Sequence, residues 1–160
     1  MHRRTWLDRA SALIAGALVC AGLAACSVDD DASAQSAADA REGAYDYPAV
    51  DFAGDPQANL ELLRVPDDVL DEMSTQALVW SVLDFPYVGN AFASSQANGE
   101  VAFLAGQCDA LAALLGRDDA AAAVDAVRAE YVEGGDAGAD ELGELKTTLL
   151  DLIAAEVAPD

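Results

Sequence analysis

The chain has 160 residues, 29 of them acidic against eight basic, a formal net charge of −21, and 53% hydrophobic residues. Such a balance excludes nucleic acid as a partner, because phosphate binding needs basic groups that displace counterions, and it disfavours docking on anionic headgroups. The single histidine is His2, so the chain beyond its first residues has no His general base, no Ser-His-Asp arrangement and no His-ligated metal.

In chain order, a basic start (Arg3, Arg4, Arg9) leads into an apolar run over residues 10–23, which closes on Leu23-Ala24-Ala25-Cys26. Small residues ahead of a cysteine are what a lipoprotein signal peptidase requires, the thiol receiving a diacylglyceryl group before cleavage. Cys20 is a poorer candidate, since bulky Val19 precedes it. The competing reading is an uncleaved anchor, because residues 10–28 are uncharged and approach the ~20 residues that span a bilayer. The run is rich in Ala and Gly, and its small-residue exit favours a signal peptide over residues 1–25, with lipidation at Cys26. The expected location is the cell envelope, on the extracytoplasmic side, with the membrane as partner through the lipid. Cys108 then has no intramolecular partner, and no disulfide is expected.

Residues 26–54, dominated by Ala, Asp, Ser and Gly, read as a disordered tether. Tyr45, Tyr47 and Phe52 near its end are placed to dock on a domain as an irregular segment around Pro48. The domain itself is expected over residues 55–160. Asp55-Pro56 predicts a helix start, a carboxylate cap followed by proline where its missing N–H is harmless. That helix should stop at Leu63 or Arg64, before Pro66. Pro66 opens a short helix over residues 67–73, Ser74 caps the next over 75–83, and Phe85-Pro86 ends it. A further helix is expected over residues 87–93 and a turn at 96–99.

Val101, Leu104, Cys108, Leu111 and Leu115 follow at three- and four-residue spacing, a single apolar stripe that places Cys108 in the core as an inert thiol. Asp118 or Asp119 should cap a helix burying Val124, Val127 and Tyr131, which stops at Gly134-Gly135. The acidic run 136–141 lacks calcium-loop spacing, with Thr147 where the closing glutamate belongs, and reads as a loop capping the last helix. That helix, over residues 141–157, puts Leu142, Leu145, Leu149, Leu152 and Ile153 on one face. Lys146, the one lysine, is expected to pair with acids on a solvated face. The fold class is therefore all-α: a small bundle of about five or six short helices after a disordered tether.

The segment Pro66-Asp67-Asp68-Val69-Leu70-Asp71-Glu72-Met73-Ser74-Thr75-Gln76-Ala77-Leu78 resembles a P-x-D-x-L-x-x-M-S-T-x-x-L pattern of an uncharacterised family of exported helical proteins of bacteria. Leu83-Asp84-Phe85-Pro86-Tyr87 fits its L-x-x-P-aromatic continuation, and Leu111 to Ala120 a later element with an Arg-x-Asp-Ala core. The resemblance covers about half the chain. It implies an exported all-helical protein and carries no assigned activity or site residues.

No cofactor, metal or catalytic residue is indicated by any motif. The expected role is a non-catalytic, lipid-anchored interaction or structural module. The alternative is a small hydrolase of envelope glycans built on two carboxylates about 5–10 Å apart, which needs no histidine. A buried, converging acid pair in a cleft would favour the enzyme, and acids spread over convex surface the module.

Overall fold

The computed structural model describes residues 40–93, 100–135, 137 and 140–158. The expected signal peptide, Cys26, the start of the expected tether and the turn at residues 96–99 lie outside them.

The described residues form eight helices and no strand: α1 Pro56–Leu62, α2 Asp67–Glu72, α3 Thr75–Asp84, α4 Val88–Ala93, α5 Glu100–Ala105, α6 Asp109–Leu115, α7 Ala120–Glu133 and α8 Glu141–Glu156. The fold is all-α, with more and shorter helices than the five or six expected. The starts follow local chemistry. The Asp55 carboxylate accepts from Gln57 N at 2.9 Å ahead of Pro56, Ser74 Oγ from Ala77 N at 3.1 Å, and Asp140 Oδ1 from Gly143 N at 2.8 Å. Each occupies one of the first-turn amides that a helix leaves unpaired. At the end of α7, Gly134 caps and Gly135 takes φ +79°, a left-handed turn that glycine adopts without a Cβ clash.

Helix α3 is the centre of the molecule. Every residue from Ala77 to Leu83 is buried, so this helix has no solvent face to speak of. It packs on α6 and α7; α7 packs in turn on α8, while α4 and α5 contact each other and α8. Leu78, Val79, Trp80, Val82 and Leu83 meet Leu104, Leu111, Leu114, Val124, Leu149, Leu150 and Ile153 in one core. Each such aliphatic contributes about 1.5–3 kcal/mol on burial, so the core rests on α3 more than on any flanking helix.

Two expectations about periodicity are corrected. The stripe from Val101 to Leu115 belongs to two helices: the chain leaves helical geometry at Cys108, which has φ −113° and ψ 103°. Leu104 O closes the first helix by accepting from Gln107 N and Cys108 N, at 2.9 and 2.8 Å, and Leu114 rather than Leu115 is fully buried. In α8 the inner face is turned by about one residue from the expected one. Gly143, Leu149, Leu150 and Ile153 are buried, whereas Leu142 is 45% exposed. The turn also brings Lys146 close to the packed face, where its stem is covered and its ammonium reaches Asp84 of α3 at 3.4 Å.

Residues 40–54 lie against the bundle. Residues 40–42 are helical and are followed by irregular chain, with Ala40 buried and Tyr45, Tyr47 and Val50 partly buried on the core.

Candidate functional site

Two polar or aromatic regions bring together residues distant in sequence. The first is a seam between residues 64–75 and 109–119. Asp109, the first residue of α6, accepts from Val65 N at 3.0 Å with one oxygen and from Arg64 Nη1 at 2.9 Å with the other. The proline at 66 leaves the preceding chain without a helical partner for Val65 N, and the carboxylate supplies one. Arg117, just past α6, donates Nη2 to Leu70 O at 2.8 Å and to Met73 O at 3.4 Å. These carbonyls lie at the end of α2, where a helix runs out of partners and favours a cation.

Thr75 Oγ1 donates to Asp119 Oδ1 at 2.7 Å. Asp119 stands at the N-cap of α7, as expected, but its carboxylate makes no capping bond there and turns to Thr75 instead. Ser74 and Thr75 thus divide their work: the first hydroxyl caps α3 and the second ties α3 to the start of α7. Beside them is an open concavity of about 520 Å³, lined by Ala40, Ser74, Thr75, Gln76, Asp119 and Ala122 among others.

The second region is aromatic and surrounds Cys108. Tyr47 Oη lies 3.8 Å from Cys108 Sγ. The Tyr47 ring is edge-on to Tyr45 (4.9 Å between centroids) and to Phe85 (5.4 Å); Phe52 is edge-on to Tyr87 at 5.3 Å. These are the attractive geometries for rings with a negative face and positive rim. Tyr45 N donates to Ser81 Oγ at 2.8 Å, and the same hydroxyl donates to Ala77 O at 2.8 Å, so a fully buried serine is satisfied on both sides. Asn59 Nδ2 bonds both Asp51 O at 2.7 Å and Tyr87 Oη at 2.9 Å. The Arg41 guanidinium stacks over the Trp80 ring, 4.5 Å from its centroid, and the buried Trp80 Nε1 has no hydrogen-bond partner among the described residues. A shallow concavity of about 540 Å³ opens between residues 41–52 and the Asp84–Pro86 corner.

Burial pushes the Cys108 thiol up to about 11, against the opposing pull of the Leu111 amide and the Tyr47 hydroxyl. The same burial, with neighbouring Cys108 and Asp109, raises the Tyr47 phenol above its ordinary value. Both groups stay protonated at neutral pH. A thiol in that state is a poor nucleophile, so Cys108 is a core residue, as its place in the stripe indicated.

Among the described residues, no group of three or more His, Cys, Asp or Glu side chains is placed to hold a metal ion. The buried polar side chains there are Asn59, Thr75 and Ser81, with no carboxylate among them. Asp109 is half-buried and committed to Arg64 and Val65; the other acids whose side chains are described sit on the surface, Glu130 partly covered. The acidic run 136–141 is described only in part, and Asp140 within it caps α8. Cys26, the residue singled out for lipidation, lies outside the described residues. The seam itself was not legible in the sequence.

No protein-family model, curated protein or solved structure matches this chain.

Proposed function

We propose that the chain is a lipid-anchored protein of the bacterial cell envelope, attached at Cys26 and serving as a non-catalytic interaction or structural module. The basic start, the apolar run and the small-residue exit at Cys26 support the anchor. The likeness of Pro66 to Leu78 to exported helical proteins points the same way. For the module, the observation that carries the reading is how the ordered polar groups are used. Asp109, Arg117, Asp119, Thr75 and Ser74 each hold one backbone stretch or helix end against another. A carboxylate hydrolase needs an acid whose proton is retained by a desolvated setting, paired with a second acid. Asp109 is half-buried but held by Val65 N and Arg64, and the other acids whose side chains are described offer surface positions instead.

Growth with a labelled fatty acid tests the anchor. The wild-type chain takes up label, and Cys26→Ala takes up none; persistent labelling of the variant refutes lipidation at this residue. Purified full chain incubated with envelope glycan releases no new reducing ends if the module reading holds. Release that a single carboxylate-to-amide substitution abolishes would replace it with the hydrolase.

A further inference from the structure

We infer that residues 40–50 form a strap that swings off the bundle on a hinge at residues 51–54 while the helices stay folded, uncovering the face made by Trp80, Ser81, Phe85 and Cys108. The strap adds no rung to any helix. Its backbone is tied to the bundle through Tyr45 N on Ser81 Oγ, and its hinge through Asp51 O on Asn59 Nδ2. The strap lies on the rim of the core: of its residues only Ala40 counts among the buried apolar set, and Ala44, Tyr45, Tyr47 and Val50 pack against that core while staying partly buried. Losing the strap therefore removes ring contacts, the Tyr45–Ser81 hydrogen bond and the Arg41–Trp80 stack, and leaves the packing of α3 on α6 and α7 in place.

Docking is opposed by two polar groups that it dries. Tyr47 Oη meets a sulfur at 3.8 Å, a long contact to a weak partner. Trp80 Nε1 is buried beneath Arg41 with no partner among the described residues. Water would satisfy both once the strap lifts, and an unsatisfied buried donor carries a desolvation penalty. The pivot is also visible. Residues 51–54 form a turn closed by Gly54 N on Asp51 O at 2.9 Å and Ala53 N on Asp51 Oδ1 at 3.0 Å, and Asn59 holds that turn to Tyr87 from α1.

Opening is therefore a local event with a fixed hinge. If the chain is anchored at Cys26, which is the reading proposed above, the 14 residue steps from Cys26 to Ala40 span at most about 50 Å. A pull on the anchor then reaches the strap before α1, and the strap acts as the element that yields.

Thiol labelling of the full chain at pH 8 tests this, with modification at Cys108 read on its own peptide by mass spectrometry so that Cys20 and Cys26 do not contribute. In increasing urea below the unfolding midpoint, the expected labelling rate is nearly flat, because local opening exposes little surface, and it joins the steep global line only near the midpoint. Tyr47→Ala raises the flat rate at least 10-fold with the far-ultraviolet helix signal unchanged, and the midpoint falls only by the equivalent of that 10-fold, about 1.4 kcal/mol divided by the m-value. Tyr47→Phe, which keeps the ring and removes the dried hydroxyl, lowers it severalfold. A rate that climbs with the global slope from zero urea overturns the strap, in the wild type or in Tyr47→Ala, as does a Tyr47→Ala rate that stays at the wild-type value. If Tyr47→Ala does not fold, the wild-type urea dependence decides alone. Labelling needs no lipid, so failure here leaves the anchor standing, and absence of lipid at Cys26 leaves the strap standing.

Discussion

Replacing Cys108 by alanine should flatten the loss of stability at alkaline pH. In the folded protein burial holds the thiol protonated up to about 11, whereas its ordinary value is 9.0. Below pH 9 the thiol is protonated in both states, so its contribution is constant. Above pH 9 the unfolded chain sheds the proton first, binds fewer protons than the folded one, and stability falls with rising pH until the folded thiol ionises too. For one group titrating between these values, the loss from pH 8 to pH 10 is about 1 kcal/mol, spread over two pH units and so well under the limiting slope of roughly 1.4 kcal/mol per unit. Tyr47 is shifted in the same direction from 10.0, so its own loss enters mainly above that window. Urea unfolding at pH 8, 9 and 10 measures the effect. Cys108→Ala lowers stability by a pH-independent amount through lost packing, and its further decline from pH 8 to 10 is smaller than that of the parent by about 1 kcal/mol. Parallel declines in the two proteins would show that the thiol is no drier when folded than when unfolded, and the burial argument would fail.

Ser74→Ala should destabilise by roughly 0.5–2 kcal/mol in chemical denaturation, since Ala77 N loses its cap. Ser74→Asp should be tolerated, because a carboxylate caps equally well and suits the helix dipole; an unfolded Ser74→Asp beside a neutral Ser74→Ala refutes the cap. Asp109→Ala removes the acceptor of Val65 N together with the Arg64 pair. The orphaned amide should account for most of a loss of about 1–3 kcal/mol, because the Arg64 side chain is 61% exposed and its ion pair is screened by solvent. Arg64→Ala should therefore cost far less than Asp109→Ala, and equal costs would contradict that division.

Elements fixed by neighbours in sequence were readable from it. Asp55-Pro56 starts α1, Ser74 caps α3, Gly134-Gly135 ends α7, and Val124, Val127 and Tyr131 face inward, because each depends on a few adjacent residues. Features that depend on a partner elsewhere were not. Spacing alone does not distinguish one helix through Cys108 from two helices meeting there, since apolar positions four and three apart suit both. The break sits where Cys108 turns inward to Tyr47 and Asp109 is drawn to Val65. Likewise the leucines of α8 left two adjacent faces open, and the choice followed from what α4, α5 and α7 present to it. Asp119 carries a strong capping preference at the right position, yet Thr75 takes its carboxylate. The candidate regions were legible only in their parts: the hydroxyls, Arg117 and the tyrosines were marked out, and their pairings were not.

The seam joins positions 44 to 47 residues apart, and that separation bears on the order in which the molecule assembles. Closing a loop of this length costs entropy that grows as about (3/2)RT ln n and must be met before any bond across it forms. Hydrogen bonds of one or two kcal/mol do not meet it alone. The packing of α3 on α6 and α7 has to come first, and the seam then sets in behind it. Contacts made after the barrier act chiefly on the rate of escape from the native state. Asp109, Arg117 and Asp119 thereby serve as bolts on a door already shut, governing how long the fold persists more than how quickly it is reached.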